Sequence, residues 1–166
     1  MNFPQIRIVL VDDHELVRGS WKLLLNQDKR FEIVGECRDG AEAIATAQQK
    51  MPDIMLMDIN MQPVNGLEAT AKIAKVAPSI KIIGLSINNQ PAYVQKMLNA
   101  GAKGYMTKNS TLHEMAHAII EVHNGRQYIC EEIRKKMEPS INQAVTYFLI
   151  AGSRITTFHS IYFLIS

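Results

Sequence analysis

Five residues in this sequence have types and positions suited to handling a phosphoryl group. Asp12 and Asp13 follow directly on the apolar run Ile6–Val11, and Asp58 follows the run Asp53–Met57. Ser86 comes after Ile80–Leu85, and Lys108 stands just beyond Lys103–Met106. If these runs are adjacent parallel strands, their carboxyl ends bring all three carboxylates to one small pocket. Clustered carboxylates repel one another, and a hard divalent cation relieves that repulsion. Mg²⁺ takes oxygen ligands and keeps several waters, so two carboxylates and a backbone carbonyl are enough protein ligands. The Ser86 hydroxyl could then donate to an oxygen bound at Asp58, and the Lys108 ammonium could pair with Asp58 or with a phosphoryl group. Phosphoryl transfer depends mainly on positioning and charge neutralisation, and this set supplies both. Taken singly, each Asp reads equally as a residue that ends a strand and caps a helix. The chemistry is carried by the five together.

The elements that would position them alternate in type. Ile6–Val11 is the β-branched run expected of a strand buried on both faces. Leu16, Leu23 and Leu24 then recur at helical spacing through about Asn26. Strand-like runs follow at Glu32–Cys37, Asp53–Met57, Ile80–Leu85 and Lys103–Met106. Helical stretches are expected at Ala41–Gln49, Asn65–Val76, Pro91–Asn99 and Thr111–His123, the last with Ser110 as N-cap and Gly125 as its stop. Five strands alternating with five helices predict an α/β fold: a five-stranded parallel sheet with right-handed crossovers and helices on both faces. Such sheets bind ligands at the carboxyl ends of their strands, near the switch in strand order.

Composition narrows the class. With 47% apolar and 20% charged residues the chain is no disordered polyelectrolyte, and a net charge of +2 gives no electrostatic case for nucleic acid. Cys37 and Cys130 are too few for a disulfide scaffold and form no CxxC pair. The N-terminus lacks the basic, apolar and small-residue pattern of a secretory signal, and no uncharged apolar run is long enough to span a bilayer. A cytoplasmic location is expected.

VDDH at 11–14, MDINMQPVNG at 57–66, LS at 85–86 and GYMTK at 104–108 together resemble the receiver domain of bacterial two-component response regulators, over about residues 5–126. VDDHELVRGSWKLLL and AGAKGYMTKNSTLHEMAHAIIEVHNGRQYI look most like the NarL/FixJ type. The resemblance implies a flavodoxin-like (βα)5 three-layer sandwich. It implies Asp58 as the acceptor of a phosphoryl group from a phosphohistidine on a sensor histidine kinase or phosphotransfer protein. It further implies Mg²⁺ held by Asp13, Asp58 and the Asn60 backbone carbonyl, with Asp12 acting through water. Ser86 would hydrogen-bond the phosphoryl group and Lys108 would pair with it. Tyr105 would be the aromatic switch residue that swings inward when Ser86 moves, and Gly66 a turn glycine with positive φ. Asn109 stands where many receivers have Pro, so a cis peptide is not expected there. His14, beside the acidic pair, is read as a loop or helix-start residue. Glu15 and Gln62 are positions from which water access to an acyl phosphate could be tuned.

Residues 1–126 are thus expected to form the receiver, 127–138 a linker with the basic cluster Arg134, Lys135 and Lys136, and 139–166 a short apolar tail in which Arg154 is the only charge. Regulators of this type control transcription through a helix-turn-helix domain of roughly 60 residues. Only 29 residues follow Met137, so the tail reads as a truncated or altered remnant, and DNA binding would need a complete output domain. Arg154 and His159 count against membrane insertion of the tail, and a homodimer remains open. Three other functions fit the sequence less well. A phosphohydrolase with an aspartyl-phosphate intermediate lacks its second carboxylate, because residue 60 is Asn. A flavin protein would want a Ser/Thr/Gly-rich phosphate cradle where this chain has DDHELVRG. A phosphorylation-independent module of the same fold would have no use for the intact acidic set.

Overall fold

The computed structural model describes residues 4–87 and 90–138. In chain order the elements are β1 (Ile6–Val11), α1 (Glu15–Leu25), β2 (Phe31–Cys37), α2 (Gly40–Lys50), β3 (Ile54–Asp58), α3 (Gly66–Val76), β4 (Lys81–Ser86), α4 (Pro91–Asn99), β5 (Gly104–Thr107), α5 (Leu112–His123) and β6 (Tyr128–Ile129). All paired strands run parallel in the order β2-β1-β3-β4-β5-β6. The direction of strand order therefore reverses between β1 and β3, which is where a doubly wound sheet opens its ligand crevice. Helix α1 packs beside α5, and α3 lies between α2 and α4, so helices cover both faces. The parallel α/β architecture agrees with the sequence expectation.

Why the strands sit where they do is plain from their burial. Ile54, Met55, Leu56 and Met57 of β3 are completely buried, and the central β1 and β4 are nearly so. Strands covered on both faces need continuous apolar runs rather than alternation. Register then fixes the geometry of the strand ends. Val11 pairs with Met57, Asp58 with Leu85 and Ser86 with Thr107, so the residues that follow β1, β3, β4 and β5 lie side by side.

Several expectations are corrected. The sheet has six strands, not five: Tyr128 and Ile129 add to the far edge of β5, pairing with Gly104 and Tyr105. A two-residue strand is too short to produce any periodic signal. Beyond it residues 131–138 are helical, and Cys130, Ile133 and Met137 are buried against the sheet's core cluster. The N-cap of α5 is Thr111, whose hydroxyl accepts from the Glu114 N–H at 3.2 Å, rather than Ser110. In α1 the inward face is Val17, Trp21, Leu24 and Leu25, whereas Leu16 and Leu23 are 86% and 68% exposed. Helical spacing identifies a face without saying which way it points. The cis peptide among the described residues is Gln62–Pro63. Residues 139–166, read from sequence as an apolar tail, lie outside the described residues. No described helix is long and apolar enough to cross a membrane.

Candidate functional site

The site is built on the carboxyl ends of β1, β3, β4 and β5. Asp12 and Asp58 are buried, with side chains only 4% and 2% exposed, while Asp13 faces outward at 38%. The Lys108 ammonium, itself 7% exposed, donates to Asp58 Oδ2 at 2.7 Å and lies 2.7 Å from Asp12 Oδ2 as an ion pair. Asp58 Oδ1 accepts the Asn60 N–H at 3.1 Å, and Asp12 Oδ1 accepts the His14 N–H at 2.9 Å. The backbone holds these groups as firmly as the side chains do. The Ile59 N–H donates to the Leu85 carbonyl, and the Lys108 N–H to that of Ser86, tying each loop to the neighbouring strand end.

Charge is the governing feature. Burial pushes the Asp58 carboxyl above its ordinary range, against the opposing pull of Lys108 and the Asn60 N–H. For Lys108 burial works downward, but its contacts with Asp12 and Asp58 outweigh that and hold its pKa above the ordinary lysine value. The two directions are compatible because one ammonium is shared by two carboxylates, so neither is fully neutralised. Three carboxylates against one cation leave an excess of negative charge over hard oxygen donors. That donor set fits Mg²⁺.

Gly66 begins α3 directly beneath the loop that follows β3. Its N–H donates to the Ile59 carbonyl at 3.0 Å, and a Cβ there would lie 1.9 Å from the Asp58 carbonyl oxygen. The glycine is required by this close approach. It does not have the positive φ expected of it; among the described glycines that belongs to Gly101 and Gly125.

Tyr105 is fully buried and its hydroxyl shares a hydrogen bond with Ser86, which is also fully buried. The aromatic residue expected to swing thus already occupies the inward position. Beside Asp13 and Asn60 a groove of about 760 Å³ opens between the loop after β3 and α4, lined also by Gln62, Tyr93 and Lys96. Glu15, Gln62 and Asn109 are exposed around the site.

Residues 8–120 match the family described as the response regulator receiver domain. The chain belongs to this family. Among curated relatives, response regulator GacA of Pseudomonas viridiflava is 36% identical over 144 residues, covering 84% of this chain and 67% of the relative. Response regulator UvrY of Escherichia coli K12 is 38% identical over 132 residues, covering 80% and 61%. The chain thus spans about two thirds or less of these relatives' length. Among solved structures, a LuxR-family response regulator from Aurantimonas sp. SI85-9A1 superposes with TM-score 0.79 at 31% identity, covering 82% of this chain and 98% of the other. The signal receiver domain of a NarL-type regulator from Mycobacterium tuberculosis gives 0.72 at 30%, covering 75% and 100%. The resemblance to NarL/FixJ-type receivers stated from the motifs agrees with these comparisons.

The receiver fold brings Asp12, Asp13, Asp58 and Lys108 together and sets Ser86 and Tyr105 against each other one strand away. Two participants escaped the sequence reading. Arg18 donates from Nη1 to the Asp12 carbonyl at 2.6 Å, holding the acidic loop from within α1. Thr107, buried next to Lys108, contacts Ser110 and Glu132 at 3.4 Å. His14, read from sequence as a loop or helix-start residue, is the N-cap of α1 and places Nδ1 2.7 Å from Asp13 Oδ1. Arg18 lies one turn beyond His14, whose carbonyl accepts its N–H, and that spacing could have flagged it.

Proposed function

We propose that this receiver accepts a phosphoryl group on Asp58 and uses it to bias the β4–β5 side of the sheet. The observation that carries the reading is the environment of Asp58: a buried carboxylate at a strand end, bonded to Lys108 and to the Asn60 N–H, with Asp12 and Asp13 alongside. An Asp58 oxygen attacks the phosphorus of a donor phosphohistidine. The P–N bond breaks, its electron pair stays with the departing imidazole, and a mixed carboxylic–phosphoric anhydride forms on Asp58. Lys108, already placed on Oδ2, turns from the carboxylate to the incoming phosphoryl oxygens. The Asn60 N–H holds the other carboxylate oxygen and so fixes which one attacks. Asp13, Asp58 and the Asn60 carbonyl would hold Mg²⁺, with Asp12 behind them; when bound it supplies charge neutralisation for the approaching anion.

Ser86 is the nearest hydroxyl on the adjoining strand, and Tyr105 holds it. A phosphoryl group drawing on Ser86 alters that bond and thereby the seating of Tyr105 on β5. Members of the receiver family are signalling switches, and position 60 offers an amide where a phosphohydrolase would need an acid. The donor is a sensor kinase or phosphotransfer protein in the cytoplasm. Control of transcription, as in a complete two-component regulator, would require output residues beyond those described; dimerisation is one route to it.

The test is intact mass after incubation with acetyl phosphate, with and without Mg²⁺. A gain of roughly 80 Da that requires Mg²⁺ supports the reading. Unchanged mass in both conditions, together with failure to bind beryllofluoride, would overturn it.

A further inference from the structure

We infer that residues 128–138 form a strap on the outer edge of β5, docked while Asp58 is unmodified and released when Asp58 carries a phosphoryl group. This rests on Asp58 being the acceptor and adds the element that its modification moves. Tyr128 and Ile129 of β6 pair with Gly104 and Tyr105, and residues 131–138 continue as a helix. Cys130, Ile133 and Met137 are buried, and their helical spacing puts them on one stripe that faces the core cluster. The outward positions, Glu131, Glu132, Arg134, Lys135, Lys136 and Glu138, are exposed. A two-residue strand and one apolar stripe are a small hold beside the fully buried central strands. Segments held in this way open locally at lower cost than the core.

Tyr105 ties the strap to the site. Its hydroxyl shares a hydrogen bond with Ser86, while its backbone carbonyl accepts the Cys130 N–H at 3.0 Å. Two residues on, the Thr107 hydroxyl donates to Glu132 Oε2 at 3.4 Å, and Lys108 follows with its ammonium on Asp58. Strand β5 is thus held by the site along one edge and by the strap along the other. The strap fits β5 as it stands, with Ser86 on Tyr105 and Lys108 on both carboxylates. A phosphoryl group on Asp58 draws the Ser86 hydroxyl and the Lys108 ammonium toward its own oxygens, so both contacts that seat β5 change together. A segment matched to the first seating binds the second less well, and its docked population falls by that difference. Release uncovers Cys130, Ile133 and Met137.

The competing explanation is a static sixth strand and helix that merely complete the fold. Cys130 separates the two, because the sequence's other cysteine, Cys37, is equally buried on β2 at the opposite edge of the sheet. Burial pushes both thiols above their ordinary range, so the pair is matched in reactivity. The full chain in Mg²⁺ is alkylated with N-ethylmaleimide, with and without beryllofluoride, and each cysteine is followed by peptide mass spectrometry. Fluorine NMR verifies beryllofluoride binding on the same samples. A buried thiol is labelled in proportion to the population that exposes it. Beryllofluoride should speed Cys130 labelling at least about tenfold and leave Cys37 unchanged. Tyr105→Phe keeps the ring and the backbone carbonyl but loses the bond to Ser86, so it should bind beryllofluoride with a much smaller acceleration at Cys130. Unchanged or slower Cys130 labelling with beryllofluoride bound, or a parallel rise at Cys37, overturns the strap. An acceleration in Tyr105→Phe equal to that of the wild type overturns transmission through Tyr105. If the wild type binds no beryllofluoride, the acceptor reading itself fails, and the strap loses its trigger.

Discussion

Replacing Gly66 by Ala should damage this protein more than any comparably small change. The new Cβ would lie 1.9 Å from the Asp58 carbonyl oxygen, 2.8 Å from its carbonyl carbon and 3.0 Å from Ile59 Cα. Real Cβ atoms keep at least 3.0 Å, so the first gap must open by about 1.1 Å. The obstructing atoms are backbone, bounded by the Ile59 N–H bond to Leu85 on one side and the Gly66 N–H bond to Ile59 on the other. No rotamer change can relieve the clash. Overpacking costs about 1–3 kcal/mol where side chains can yield, and a backbone obstruction belongs at the upper end, about 3 kcal/mol. At about 2–4 °C per kcal/mol for a chain of this size, Tm should fall by roughly 6–12 °C. Gly19→Ala is the internal control. It lies within α1 with nothing inside 4 Å of its Cβ position, so alanine's helix preference should raise stability by about 0.5–1 kcal/mol. Thermal unfolding followed by circular dichroism, and by the fluorescence of Trp21, the sequence's single tryptophan, measures both. Because the Asp58 backbone is what yields, Gly66→Ala should also slow phosphorylation. A Gly66→Ala protein as stable as the wild type would mean that the backbone at Asp58 and Ile59 yields without cost.

Three further outcomes follow from charge and packing. Asp58's raised pKa means the folded protein holds that proton more tightly than the unfolded chain, so ionisation there weakens the fold. The penalty is absent below the ordinary value of 3.8 and complete above the folded-state value. Asp58→Asn should therefore be more stable than wild type at pH 7 in chelator, with the gap closing as pH falls through acid urea titrations. Lys108→Met strands two buried carboxylates and should cost about 3–5 kcal/mol at neutral pH, regained in acid or with Mg²⁺. Lys108's own stabilisation is fully present below 10.5 and lost as pH rises through its folded value, a loss the Met variant should not share in alkaline denaturation. Ile133 is completely buried, so Ile133→Ala should cost about 2–5 kcal/mol by urea unfolding. If residues 127–138 act only as a loose linker, that substitution will be nearly neutral.

Legibility in the sequence tracked how local the cause was. The strands were readable because β3 and β1 are buried on both faces, which demands unbroken apolar runs. The pocket was readable because a parallel sheet aligns the ends of adjacent strands, so Asp12, Asp58 and Lys108 could be placed together from their positions in the chain. Non-local pairing was not readable. Nothing in Tyr128-Ile129 signals that it will extend the sheet beyond β5, since its partners lie more than 20 residues upstream. Nor could composition say that Gly66 serves close approach rather than a left-handed turn, because the atom it must clear is eight residues earlier. Tyr105's burial is likewise a product of non-local packing, its hydroxyl meeting Ser86 from the neighbouring strand.

Covalent trapping at residue level decides whether Asp58 is the acceptor. Protein treated with acetyl phosphate and Mg²⁺ is reduced with borohydride, which converts an acyl phosphate on aspartate to homoserine, and then mapped by peptide mass spectrometry. Expected are homoserine at position 58, its loss when Mg²⁺ is chelated, and no trapped residue in Asp58→Asn. Homoserine at Asp12 or Asp13 instead, or equal trapping in the Asn variant, would contradict that role.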